Sequence, residues 1–167
     1  IELYNHEKRV FMLREALTQP SMSEFNFDFI LIDCPPSLNL LTINAMVASN
    51  SVLIPLQSEF FALEGLSQLM LTIREVRTTA NKDLRIEGVV LTMFDSRNNL
   101  SLLVEEDARE NLGDLVFKSK IPRNVRISEA PSHSKSVLSY DSTSKGAQAY
   151  RDLANEFLKN NQSASVE

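Results

Sequence analysis

The chain has 167 residues, 43% of them hydrophobic and 23% charged, which suits a globular domain with a sizeable core. Its formal net charge of −5 gives no global pull toward nucleic acid or an anionic membrane, so binding a polyanion requires a local basic patch. The single cysteine, Cys34, excludes an internal disulfide and suits a reducing cytoplasm, and no apolar run approaches the roughly 18 residues of a membrane-spanning helix.

The opening IELYNHEKR has no basic leader, no apolar signal core and no initiating methionine, and reads as the start of a fragment. Residues 27–33, FDFILID, are almost continuously apolar, as expected of a strand buried on both faces. Asp33 ends that run, and Pro35 and Pro36 follow it as a stiff turn. By itself the Asp33 carboxylate is open to three roles: helix cap, metal ligand or catalytic base. Residues 38–48 read as a helix, and SVLIPL at 51–56 as a second strand. Leu63, Leu66, Met70, Ile73 and Val76 then make one helical stripe. IEGVVLTM at 86–93 repeats the strand pattern. Leu102, Leu103, Ala108 and Leu112 suggest a further helix, with Gly113 as its stop. Ala147, Tyr150, Leu153, Ala154, Phe157 and Leu158 line a last helix, with Ser142 or Ser144 as its N-cap.

Strands alternating with helices predict an α/β fold with a mostly parallel sheet and helices on both faces. Residues 1–160 are expected to form one domain, and 161–167 a disordered polar tail. Open parallel sheets bind ligands at the carboxyl ends of their strands, which is where Asp33, Met93 and Pro122 fall.

Five stretches in order, DFILIDCPPS (28–37), LEGLSQ (63–68), LTMFD (91–95), IPRNVRISEAPSH (121–133) and Tyr140-Asp141 with GAQAY (146–150), resemble successive motifs of the ParA/Soj partitioning ATPases. The resemblance covers nearly the whole chain and implies a deviant Walker P-loop NTPase fold. Such ATPases begin with a glycine-rich phosphate loop carrying two lysines. The four glycines here (Gly65, Gly88, Gly113, Gly146) are scattered, so the chain resembles the carboxyl-terminal two-thirds of the family and is expected not to hydrolyse ATP alone.

By resemblance, Asp33 is the Walker B acid, the catalytic-site carboxylate that holds Mg²⁺ through water, and Pro35 and Pro36 begin switch II. Met93, Phe94, Pro122, Arg123 and Asn124 belong to the nucleotide-binding loops. Arg97 and Arg126 match positions that bind DNA without sequence preference, through phosphates. Lys118, Lys120, Arg123 and Lys135 are expected to thicken that patch. The sequence departs from the family at STSK (142–145), Asn39 and Ser134, the last two standing where glycine is usual. Cys34 is expected to be a small buried filler, and neither His6 nor His133 is given a role.

The implied function is that of a partitioning ATPase. ATP and Mg²⁺ are its cofactors, and the ATP-bound homodimer binds the nucleoid. A ParB-type partner stimulates hydrolysis to ADP and phosphate, in the cytoplasm and without stable membrane association. Two alternatives are a MinD-like ATPase that positions the division site, and a non-catalytic interaction module on the same fold. The first would need a basic amphipathic terminal helix, which FLKNN at 157–161 does not supply.

Overall fold

In a computed structural model the described residues are 8–35, 37–59 and 61–163. Among them the helices are α1 (Met12–Leu17), α2 (Leu40–Ala48), α3 (Ala62–Thr79), α4 (Asn99–Leu112), α5 (Val125–Glu129), α6 (Val137–Tyr140) and α7 (Lys145–Ser163). The strands are β1 (Ser51–Gln57) and β2 (Arg85–Thr92), paired in a two-stranded sheet. Arg85 N donates to Asn50 O (3.0 Å) and Ser58 N to Thr92 O (3.1 Å), so pairing advances in the same direction along both strands. They run parallel, as a strand–helix–strand crossover requires. Parallel bridges Val89–Val116 and Phe94–Pro122 bring residues 116–122 alongside β2. The α/β class and parallel pairing agree with the sequence reading.

The chain divides into two compact units, Ile1–Val52 with Gly65–Ile86, and Leu53–Glu64 with Glu87–Glu167. In the first, α1 packs on α2, an element pair in which the sequence reading had found only the second helix. Asn39 caps α2, its Oδ1 accepting from Leu41 N (2.9 Å) and Thr42 N (3.2 Å). Asn44 is buried and ties the two helices together: Oδ1 accepts from Leu13 N, and Nδ2 donates to Arg9 O. Asn81 donates to the carbonyls of Met46, Val47 and Ser49, satisfying the end of α2. The predicted α3 stripe is realised, with Leu66, Ile73 and Val76 buried.

Residues 27–33 correct the first expectation, because they form no strand. All of their side chains but the half-buried Ile32 are exposed, Leu31 at 86% and Phe27 at 58%, and Phe27 stacks on Phe25 with ring centroids 5.4 Å apart. Cys34 is exposed as well, not the buried filler expected.

In the second unit, β2 buries Val89, Val90 and Leu91 consecutively, whereas β1 alternates, with Ile54 and Leu56 buried and Leu53 exposed. Val90, Phe117 and Ile121 make a core cluster covered by Ile127, Ala149, Leu153 and Phe157. The face of α4 is rotated from the predicted one: Ser101, Val104 and Ala108 are buried, while Leu102 and Leu103 are exposed. Gly113 does end α4, at φ 55°. Ser144 is the residue at the start of α7 whose Oγ accepts from Ala147 N (3.2 Å). That helix runs past residue 160 to Ser163, where the sequence reading had placed a disordered tail. Asn161 accounts for the extension, donating to Glu87 Oε1 (2.6 Å) and Phe157 O (3.0 Å). Residues 164–167 lie outside the described residues.

Candidate functional site

The carboxyl end of β2 builds the site in the second unit. After Thr92 the chain turns through Met93, whose φ of 51° is left-handed and unusual for a side chain of this size. Phe94 N donates to Ile121 O (3.0 Å) and Arg123 N to Phe94 O (3.1 Å), so the two loops are stitched together through their backbones. Ser58 joins them from the end of β1, with N and Oγ both donating to Thr92 O. These three chain segments surround a cleft of about 390 Å³, lined by Ser58, Glu59, Phe61, Met93, Asp95, Asn98, Leu100, Ser101 and Arg123. Volume and mixed apolar and polar lining suit a small organic ligand.

Of the five residues assigned to nucleotide binding, Met93 and Arg123 line the cleft. Phe94, Pro122 and Asn124 are not among its lining residues and sit in the same loops as Met93 and Arg123. The Phe94 ring is buried, and Lys120 Nζ stands 4.2 Å from its centroid, held there by Glu105 (2.7 Å). Glu105 is also paired with Arg109. Burial raises its carboxyl pKa, but bonds from Lys120 and Arg109 outweigh this and leave it below the ordinary value. Pro122 is half-buried in its bridge to Phe94. Asn124 caps α5, with Oδ1 accepting from Arg126 N (2.9 Å). Ser58, Glu59, Phe61, Asp95 and Asn98 were not singled out in the sequence. The one available signal was Asp95, the last residue of the quoted LTMFD.

The two arginines assigned to DNA lie in the same unit, and both are held by carboxylates. Asp95 grips Arg97 as a fork: Arg97 Nε donates to Oδ1 (3.0 Å), Nη2 to Oδ2 (2.9 Å), and the Arg97 amide to Oδ1 (3.0 Å). Those hydrogen bonds, with the charges of Arg97 and Arg123 behind them, hold the Asp95 carboxyl at a pKa of about 2. Arg126 donates from Nη1 to Glu129 Oε2 (2.9 Å) and lies 3.4 Å from Asp141 through Nε. Tyr140 Oη donates to the same Glu129 oxygen (3.3 Å), and the His133 ring stacks on Tyr140. Of the residues expected to thicken this patch, Lys120 is bound to Glu105 and Arg123 to Glu59 (3.3 Å).

In the first unit Asp33 is exposed on irregular backbone, and Pro35 follows it, also exposed. Pro36 lies outside the described residues. A carboxylate is the hard oxygen donor that magnesium takes. No group of three or more His, Cys, Asp or Glu that could hold a metal ion gathers among the described residues.

A family model described as an AAA domain matches residues 1–86. The chain is 53% identical over 160 residues to the sporulation initiation inhibitor protein Soj of Bacillus subtilis, covering 96% of this chain and 62% of that protein. It is 54% identical over 158 residues to the chromosome partitioning protein ParA of Caulobacter vibrioides, covering 95% and 59%. Among solved structures, the fold matches cobyrinic acid a,c-diamide synthase from Mycobacterium smegmatis with bound ATP analogue and magnesium. There the TM-score is 0.74 at 33% identity, over 98% of this chain and 58% of that one. The chain thus spans about three-fifths of the length of the curated relatives it matches.

Proposed function

Because this chain belongs to the AAA-domain family and is homologous to its ParA/Soj partitioning ATPases, we propose that it is the greater part of an ATPase that segregates DNA. The observation that carries this is the identity of 53–54% to two partitioning proteins along almost the whole chain. In this reading the β2-end cleft takes the base of ATP, with Met93 and Phe61 offering apolar surface and the amide of Asn124 an edge contact. Asp33 holds the waters of the magnesium ion. That ion supplies charge neutralisation at the phosphates, and Asp33 fixes where that charge stands. Pro35 and Pro36 stiffen the segment that responds to the terminal phosphate.

ATP closes a homodimer, and the dimer binds DNA through Arg97 and Arg126, which supply local positive charge on an acidic protein. A ParB-type partner stimulates hydrolysis in the cytoplasm, at the nucleoid. The chain as it stands does not hydrolyse ATP, because its four glycines include no clustered, lysine-bearing phosphate loop. Among the described residues no helix is long and apolar enough to cross a membrane. The reading also expects no stable membrane association, and flotation with vesicles and ATP tests it against the MinD-like alternative.

The decisive experiment replaces Arg126 by Glu in the complete reading frame and measures binding to non-specific duplex DNA with and without ATP. ATP-dependent binding in the parent and its loss in the variant are expected. Unchanged affinity overturns the assignment of Arg126.

A further inference from the structure

We infer that Asp95, and Glu129 with Asp141, are built-in competitors of DNA: they hold Arg97 and Arg126 in closed ion pairs, and a phosphate must displace them to bind. The inference rests on the proposed DNA contact and adds residues that set its strength. Arg97 has 88% of its side chain open to solvent, yet its Nε, Nη2 and amide all point to one carboxylate. A fork–fork pair of this kind uses the same face of the guanidinium that would grip a phosphate. Arg126 faces two carboxylates, one of them further fixed by Tyr140, so its surroundings carry more negative than positive charge. Arg123, beside the cleft, is paired with Glu59 in the same way.

Two consequences distinguish a competitor from an ordinary surface pair. A phosphate that takes Arg97 leaves Asp95 unpaired next to the DNA backbone, so binding bears both the lost pair and the new repulsion. Removing the charge of Asp95 while keeping its shape therefore strengthens DNA binding. Asp95→Asn retains an oxygen for the Arg97 amide, so the local turn survives. The gain acts through one residue, and it must vanish when Arg97 is absent.

The test measures affinity of the complete reading frame, with ATP, for a random-sequence duplex at several salt concentrations. Four proteins are compared: parent, Asp95→Asn, Arg97→Ala and the double variant. Exposed pairs are weak, so Asp95→Asn is expected to bind about two- to fivefold more tightly than the parent. In the Arg97→Ala background the same change is expected to have no effect. Arg97→Ala alone lowers the salt slope by about one phosphate contact. An equal gain with and without Arg97 means general charge removal and overturns the inference. A loss of affinity in Asp95→Asn means that Asp95 positions Arg97 for DNA, and also overturns it. Both results leave the DNA reading intact, provided Arg97→Ala weakens binding. If neither Arg97→Ala nor Arg126→Glu changes affinity, the DNA reading itself falls, and the inference with it.

Discussion

Gly88 sits in the middle of β2, where glycine ordinarily weakens a strand, and replacing it by alanine measures how tightly the site's foundation is packed. Its φ of 156° is one that side chains rarely adopt, and a Cβ there would overlap the Phe117 ring edge and lie 2.8 Å from Leu115 O. The carbonyl belongs to the backbone that leads into the Val116 bridge, so it cannot swing aside. Overpacking costs about 1–3 kcal/mol, and holding alanine in a glycine conformation about 1–3 kcal/mol more. Reduced freedom of the unfolded chain returns about 0.4–1 kcal/mol. The net expectation is a loss of about 1–5 kcal/mol, or a fall in Tm of roughly 2–20 °C for a chain of this size. Urea unfolding followed by far-ultraviolet circular dichroism reads it. Phe117→Leu supplies the second arm, because it clears the ring but not the carbonyl. The double variant should lose less than the sum of the singles, by on the order of 1 kcal/mol. A loss below about 0.5 kcal/mol for Gly88→Ala, or strict additivity with Phe117→Leu, would refute the packing argument.

Glu156 on α7 accepts from the amides of Lys118 (2.7 Å) and Ser119 (2.8 Å), anchoring the segment that runs on to Pro122. Glu156→Gln should cost about 1–2 kcal/mol in the same unfolding assay, since one charged acceptor for two amides is lost. Burial raises the Glu156 pKa, but bonds from Ser119 and Lys118 outweigh it and leave the folded value below the ordinary one. Its contribution is therefore complete above the unfolded pKa of about 4.3 and lost as pH falls through the folded value. A parent-minus-variant stability difference that grows below that range contradicts the assignment. Asn124→Ala removes the α5 cap and should cost about 0.5–2 kcal/mol. In the complete reading frame it should also weaken nucleotide binding by equilibrium titration, with unchanged affinity counting against Asn124 in the site.

Much of the secondary structure was legible because it is written locally. The α3 stripe, the Gly113 stop and the strand pattern of β2 each depend on residues a turn or two apart. Asp95 was on the page as the end of LTMFD, but its fork on Arg97 was not, because side-chain pairing depends on how the loop closes after Met93. Leu102 and Leu103 looked like a core face, yet α4 buries Ser101, Val104 and Ala108, since which side of a weakly amphipathic helix turns inward is set by what it meets. The segment 27–33 shows the same limit from the other side. Its composition is that of a buried strand, yet these residues form none.

By itself the sequence determined the α/β class and the resemblance to partitioning ATPases, because periodicity and motif spacing are properties of the chain. Tertiary structure alone decided that Met93 and Arg123 open onto one cleft while Phe94 is buried beside Lys120. It also decided that both arginines assigned to DNA are already bound to carboxylates. Burial and ion pairing are relations between distant segments, fixed only when backbone hydrogen bonds such as Phe94 N to Ile121 O bring those segments together.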